Sequence, residues 1–433
     1  MKNLACFCIL SSMVLSSCSL FKKGQISKQL AFSESLYQNH IGFVLYDPVT
    51  KEQLFEHNSK QYFTPASNTK ILTFYAGLML LGEQTPALQY SERGDSLIFW
   101  GTGDPAFLNP NLTTDSVVYD FLSTSTRSLY FSPDNYKDEH FGPGWAWDDY
   151  LYSFSAEKSP LPIYGNTVSV EKEEGSKMLS IDIPYFKRYF YLNDTVGHRS
   201  PIIRNLDNND IDYTPRKSSE SFSKRWPFKY SNLLLSNLLS DTLHRKVQLV
   251  TYEKPSNAKT IYSVPTDTLY QKMMQDSDNF IAEQLMLVYS SQLGDTLNTQ
   301  MVIDHMKDQY LYDLPDEVVW RDGSGLSRYN LITPRSIVRL WEKIYSEVQR
   351  ERLFQLIAVG GKSGTLKNYY QADVPYIYGK TGTLSNNHNL SGFILTKSGR
   401  TLIFSYMNNN HIVKASEVKK GMEQLLLSIR EKY

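Results

Sequence analysis

Cysteine is almost absent from this 433-residue chain. There are three, Cys6, Cys8 and Cys18, and none follows the eighteenth residue. A disulfide framework and a thiolate metal site are therefore excluded for the body of the protein. The eight histidines show no zincin-like spacing, which argues against a zinc hydrolase. No metal or other cofactor is expected. An excess of one charge is also missing: Lys+Arg and Asp+Glu both number 45, for a formal net charge of zero. That argues against a nucleic-acid partner, which would want a basic face. Long apolar runs are lacking too, and no segment is long enough to span a bilayer. A Gly-x-Ser-x-Gly elbow is absent, since "DGSGL" (Asp322 to Leu326) only grazes the pattern. Neither an internal repeat nor a low-complexity tract is present. What remains is 41% hydrophobic and 21% charged, long enough for two or three domains with real cores.

The first residues read as a targeting segment. Lys2 is followed by the short apolar stretch "LACFCILSSMVLSSC". Its end, Leu15-Ser16-Ser17-Cys18, resembles the bacterial lipoprotein signal, in which the cysteine is lipidated. The expectation is a signal peptide over 1–18, a lipid anchor on Cys18 and a tether over 19–30. That would hold the chain in the periplasm at a bacterial membrane, the outer membrane being the expected one.

Helices framed by strands follow. "HIGFVLYDPVTKEQLFEHN" reads as a hairpin, and an apolar helix follows it. From about Ser91 the texture becomes aromatic and turn-rich, with strand-like runs, until about Ser256. Helical periodicity returns at "TDTLYQKMMQDSDNFIAEQLMLVYSSQ" and at "TPRSIVRLWEKIYSEV", where Thr333 is a candidate N-cap with Pro334 at the first helical position. A strand to Tyr378, a hairpin and an amphipathic helix from about Ala415 close the chain. The expected division is a catalytic unit of 31–90 plus 260–433 interrupted by an inserted, β-rich region of 91–259.

One residue in the first helix is out of place. From Ile71 to Leu81 there is no charge, and apolar side chains surround the helix, so it should be buried. Lys70 nevertheless stands at its start, three residues after Ser67 and on the same face. Burial disfavours an ammonium and lowers its pKa. A neutral amine beside a hydroxyl is a general base beside a nucleophile. Burial and a second nearby cation, Lys380, both point to a neutral Lys70. The same Ser-x-x-Lys spacing occurs at Ser19/Lys22, Ser221/Lys224 and Ser416/Lys419, but only Ser67/Lys70 opens a charge-free helix.

Two more motifs complete a set shared by penicillin-binding proteins and class A β-lactamases. They are Ser277-Asp278-Asn279 and Lys380-Thr381-Gly382, in the required order. Lys362-Ser363-Gly364 and Lys397-Ser398-Gly399 are decoys, in a Gly-rich connection and at a hairpin tip. Ser385-Asn386-Asn387 fits Ser-x-Asn but comes after the lysine motif. With "FTPASNTKILT", "FWGTGDPAF", "GPGWAWDDY", "DSDNFIAEQL", "RDGSGLSRYNLITPRSIVRL" and "GKTGTL" in sequence over Ile41 to Asn410, the chain resembles the D-alanyl-D-alanine carboxypeptidase/endopeptidase family, the low-molecular-mass class C penicillin-binding proteins.

That resemblance implies an α+β, penicillin-recognising serine transferase (β-lactamase-like) fold: an antiparallel sheet covered by helices, with a large insertion between the first and second motifs. It implies peptidoglycan stem peptides as substrate and β-lactams as covalent inhibitors. Ser67 would attack the penultimate D-Ala carbonyl and Lys70 take its proton. Ser277 would relay a proton to the leaving amine, Asn279 hold the peptide amide and Lys380 add positive potential. Thr381 and Thr383, with Gly382 between them, would bind the terminal carboxylate. The backbone N–H groups of Ser67 and Thr383 would form the oxyanion hole. Asp148 and Asp149 would meet the side-chain amine of the stem peptide's diamino acid. "RDGSGLSRYN" is read as turn-forming, close-packed support. The competing readings are a β-lactamase of the same fold and a lipid-anchored peptidoglycan-binding protein without turnover.

Overall fold

The computed structural model describes residues 23–112, 116–176, 178–193, 202–214 and 221–433. Cys18, the expected lipidation site, lies outside the described residues.

The central element is a six-stranded, wholly antiparallel sheet in the order β14-β15-β16-β17-β1-β2. Its strands are β1 (His40–Asp47), β2 (Glu52–His57), β14 (Ala358–Val359), β15 (Ile377–Leu384), β16 (Asn387–Leu395) and β17 (Thr401–Asn409). Both faces are covered, so β1 and the middle of β17 are largely apolar rather than alternating with polar residues. Successive side chains point to opposite sides. Phe43, Leu45, Phe404 and Tyr406 face one layer, formed by α1 (residues 23–37) and α10 (Ala415–Lys432). Val44, Ile403 and Met407 face the other, which contains α2 (Lys70–Leu80), α6 (Asn279–Leu293), α7 (Thr299–Gln309) and α8 (Pro334–Glu347). Short helices α5 (Thr266–Gln271) and α9 (Arg350–Leu356) complete that layer.

Three further sheets occur among the described residues between β3 (Gln84–Arg93) and β13 (Lys259–Pro265). The largest has the order β12-β5-β4-β3-β13, with β4 (Ser96–Gly101), β5 (Ser128–Phe131) and β12 (Val247–Leu249). With α3 (Val117–Thr124) and α4 (Asn232–Thr242) it encloses a separate core around Phe99, Phe131, Leu235 and Leu239. The smaller sheets join β6 (Thr167–Lys172), β7 (Ser180–Ile181) and β11 (Phe222–Pro227), and β8 (Phe190–Leu192), β9 (Ile202–Arg204) and β10 (Ile211–Tyr213). The expected limits of the insertion, 91 and 259, fall within β3 and on the first residue of β13. These strands pair with each other, Lys259 opposite Tyr90, so the inserted sheet begins at Gln84 and closes at Pro265.

Two expectations need correction. The segment 19–30 was expected to be a tether, yet from residue 23 the chain is helical and its Ile26 and Leu30 are buried among Val418, Met422 and Leu425 of α10. Apolar spacing of four places both residues on one helical face. The strand expected to end at Tyr378 continues through the whole Lys-Thr-Gly motif to Leu384, so Lys380 lies mid-strand. The N-cap expected at Thr333 is present, its side chain accepting from the Ser336 N–H, with Pro334 at the first helical position.

The helical reading of α1 has a direct test. Leu30 is fully buried, so Leu30→Ala should cost about 2–5 kcal/mol of folding stability by cavity formation. Urea unfolding of the soluble chain lacking residues 1–18 checks this. A tether residue would leave the midpoint unchanged.

Candidate active site

Ser67 sits in a one-turn 3-10 segment, Ala66–Thr69, that runs directly into α2. This turn is fastened to the sheet through its neighbour Asn68. The Asn68 Nδ2 donates to the Lys380 carbonyl (3.0 Å), and its Oδ1 accepts from the Ser391 hydroxyl (2.7 Å). The Trp341 indole of α8 donates to the same Ser391 hydroxyl (2.9 Å). The approach is so close that a Cβ on Gly382 would lie 2.4 Å from the Pro65 carbonyl oxygen. Gly382 was expected among the substrate-binding residues. It is buried, and its missing side chain lets β15 pass the nucleophile turn, so only its backbone is left to meet a substrate.

Lys70 is fully buried, and its ammonium meets three acceptors: Ser67 Oγ at 3.0 Å, Asn279 Oδ1 at 2.6 Å and the Ser324 carbonyl at 2.7 Å. A neutral amine keeps two N–H donors. Asn279 and Ser324 can hold those two, which leaves the lone pair directed at the Ser67 hydroxyl. Burial pulls the Lys70 pKa down from 10.5 to about 8, while the carboxylates of Asp322, Glu283 and Asp278 oppose it. The downward shift expected from burial is present, and these three acids, which that expectation left out, limit it.

The Ser-Asp-Asn motif sits at a break between helices. A π-helical turn, Lys272–Asp276, ends at Ser277, whose φ of 63° is left-handed. Asp278 then caps α6, its carboxylate accepting from the Ile281 N–H at 2.9 Å. The break turns Ser277 towards β15, where the fully buried Lys380 donates to its hydroxyl (2.7 Å) and to the Thr381 carbonyl (2.8 Å). Burial first, and Lys70 second, hold the Lys380 pKa well below its ordinary value. Asn279 spans the site. Its Oδ1 accepts from Lys70 and its Nδ2 donates to the Phe154 carbonyl of the inserted region (3.1 Å).

A cleft of about 440 Å³ opens over these groups, lined by Ser67, Asn279, Thr383, Asp149, Phe154 and Arg328 among others. Asp149 is therefore at the cleft, whereas its neighbour Asp148 is not among the lining residues. Burial and the adjacent Asp148 raise the Asp149 pKa against the pull of Arg328. Both threonines have partners already. Thr381 donates to Thr365 Oγ1 (2.7 Å), and Thr383 Oγ1 lies 2.8 Å from His388 Nδ1. Burial drives the His388 pKa down to about 3, so the ring is neutral.

Several residues here escape motif reading. Asp322 takes the Gly325 N–H and the Asn330 amide on one oxygen, and the Ser327 N–H and the Trp145 indole on the other. Glu283 accepts the Ser324 N–H at 2.7 Å, its second oxygen is buried without a hydrogen-bond partner, and burial with Asp322 raises its pKa to about 7. The segment read as support thus touches Lys70 directly through its Ser324 carbonyl. His388 was findable, since a two-residue turn at Ser385 and Asn386 sets it opposite Thr383. Glu283 and Thr365 had no local signal.

Asp322→Asn tests the network in two ways. Loss of a carboxylate that raises the Lys70 pKa should shift the pH dependence of Ser67 modification by an acylating reagent to lower pH. An amide facing two of the four donors should also cost about 1–3 kcal/mol of stability. A pH profile unchanged from wild type would remove Asp322 as a charge partner of Lys70.

The sequence model of the D-Ala-D-Ala carboxypeptidase 3 (S13) family matches residues 22–431. The D-alanyl-D-alanine carboxypeptidase DacB of Haemophilus influenzae is 20% identical, over 91% of this chain and 90% of the relative. A D-alanyl-D-alanine carboxypeptidase of an Actinomadura species is 22% identical, over 86% and 78%. Among solved structures, penicillin binding protein 4 of H. influenzae superposes with a TM-score of 0.75 at 18% identity, covering 91% of this chain and 97% of that one. This last likeness bears on the fold, which is the penicillin-recognising one expected.

Proposed function

The chain belongs to the D-Ala-D-Ala carboxypeptidase 3 (S13) family, and from that premise we propose a serine acyl-enzyme mechanism on peptidoglycan stem peptides, centred on Ser67. The observation that carries it is the buried Lys70 amine 3.0 Å from the Ser67 hydroxyl at the mouth of the cleft. Ser67 Oγ adds to the penultimate D-Ala carbonyl as its proton passes to Lys70. The tetrahedral intermediate collapses as the proton taken up by Lys70 passes to the departing D-Ala nitrogen through the Ser277 hydroxyl, which Lys380 holds, and Lys70 is left neutral. Water then releases the acyl group, with Lys70 as base again. Beyond Gly379 the outer edge of β15 pairs with no strand among the described residues, so an extended peptide can lie along it. There the Thr383 hydroxyl and the field of Lys380 serve the terminal carboxylate. Thr381 does so only by turning its hydroxyl from Thr365. The N–H groups of Ser67 and Thr383 serve the oxyanion, where one donor is worth roughly 3 kcal/mol. Asp149 meets the amine of the diamino acid. β-Lactams enter by the same acylation.

The family premise covers hydrolysis of D-Ala-D-Ala termini; cleavage of crosslinks is the finer reading. We place the protein in the periplasm, held by a lipid on Cys18. Purified peptidoglycan digested by the enzyme, with muropeptides resolved, should lose terminal D-Ala and crosslinked dimers. Intact dimers would leave the carboxypeptidase alone. Cys18→Ala should release the protein from membranes, and unchanged fractionation would overturn the anchor.

Lys70→Arg isolates the base. Arginine keeps the charge but does not give up its proton. Acylation by penicillin should fall on the order of 100-fold or more while the chain stays folded. A stable variant within about threefold of wild type would dismiss Lys70 as the base. In wild type, acylation should rise with pH through about 8 as Lys70 loses its proton.

A further inference from the structure

The helix α1 has two faces of different character. Ile26, Leu30 and Ser33 are buried against the sheet and α10. The opposite face, Ser27, Lys28, Ala31, Phe32, Ser35 and Leu36, is exposed and carries no carboxylate. Its two largest side chains are apolar: Phe32 is 67% exposed and Leu36 54%. They stand one helical turn apart, so they form one ridge. Helix α10 runs antiparallel alongside. A Cβ on Gly421 would be 3.4 Å from the Tyr37 hydroxyl, and Lys432 bonds to Gln25. It adds exposed Lys420 and Leu427 to the same side. Leu36 and Val413 share a groove there with Glu417 and Lys420, and the exposed Ile412 adjoins it.

We propose that this outward face of α1 and α10, with Phe32 and Leu36 as its ridge, rests in the headgroup layer of a lipid bilayer. The proposal rests on the lipid-anchor reading of Cys18. Five residues lead from Cys18 to Lys23, a span of at most about 18 Å when fully extended. The anchor therefore keeps α1 at the membrane surface, where an exposed apolar ridge flanked by Lys28 and Lys420, against the single groove carboxylate Glu417, suits the headgroup interface of a bilayer. The face also settles which way the enzyme looks. The six-stranded sheet stands between α1/α10 and the helices carrying Lys70 and Asn279. The cleft is thus held on the side away from the lipid, where a wall polymer lies.

The test uses the full acylated chain in vesicles of phosphatidylethanolamine and phosphatidylglycerol. The processed protein has no free thiol once Cys18 is lipidated, so Phe32→Cys accepts a polarity-sensitive fluorophore at one site. Leu36→Cys is a second probe, and Tyr312→Cys, at a position 77% exposed in the layer across the sheet, is the control. Penicillin labelling of Ser67 verifies that each variant is folded. The expected result is co-flotation with vesicles, blue-shifted emission at 32 and 36, and about threefold or greater protection from iodide relative to 312. Flotation with equal quenching at all three positions overturns the membrane face while leaving the anchor intact. Failure to float overturns the anchor and the inference with it. A blue shift that needs no vesicles and grows with protein concentration assigns the face to a second copy of the chain, and overturns the proposal.

Discussion

A fully buried amine at the head of α2 governs the rest of the site. Taking an ammonium out of water without compensation costs several kcal/mol. The fold answers with three acceptors on the nitrogen and three carboxylates nearby. Burial and those responses pull in opposite directions. Desolvation favours the free amine that can act as a base, and the acids favour the ammonium. The outcome, a pKa near 8, leaves Lys70 able both to accept the Ser67 proton and to return it at neutral pH.

Such a balance needs fixed distances, and the scaffold supplies them at backbone level. Gly325, at φ 83°, lies so near the nucleophile turn that a Cβ there would be 1.9 Å from the Ala66 carbonyl oxygen. Thr73 of α2 donates to the Gly323 carbonyl at 2.6 Å, one residue before the carbonyl that holds Lys70. Asp322 gathers four N–H groups and keeps this loop from relaxing. Asn68, Ser391 and Trp341 set the turn against the sheet. The helix, the loop and the strand therefore cannot shift independently, and Ser67, Lys70 and Lys380 keep their separations through neighbours that never touch substrate.

Legibility in the sequence followed the range of the interaction. Ser67 and Lys70 are three residues apart, and an uncharged helix after a lysine is a local oddity, so their pairing was readable. The hairpin of β1 and β2, the cap at Thr333 and α10 were readable for the same reason. The helix α1 was missed because a short segment after a signal reads as linker unless its apolar spacing is set against a distant partner, here α10. Strand β15 was cut short because Gly379 and Gly382 punctuate it, although tertiary pairing with β16 overrides that weak preference. Glu283 read as one more polar position in a helix. Its importance depends on burial beside Asp322, which no local pattern records.

The decoy motifs show why environment, not spelling, makes a motif. Lys397-Ser398-Gly399 has the right letters, but Lys397 is largely exposed and pairs with Glu431 at the protein surface. Lys362-Ser363-Gly364 lies much closer to the chemistry, and its glycine serves it differently. Gly364, at φ 59°, comes so close to the π-helical turn before Ser277 that a Cβ would sit 2.4 Å from the Gln275 carbonyl oxygen. The next residue, Thr365, accepts from Thr381. This decoy is therefore a brace shared by the second and third motifs. Lys380 alone of the three lysines is fully buried; desolvation and Lys70 disfavour its ammonium, so a peptide carboxylate placed beside it would offset that cost and favour the charged form.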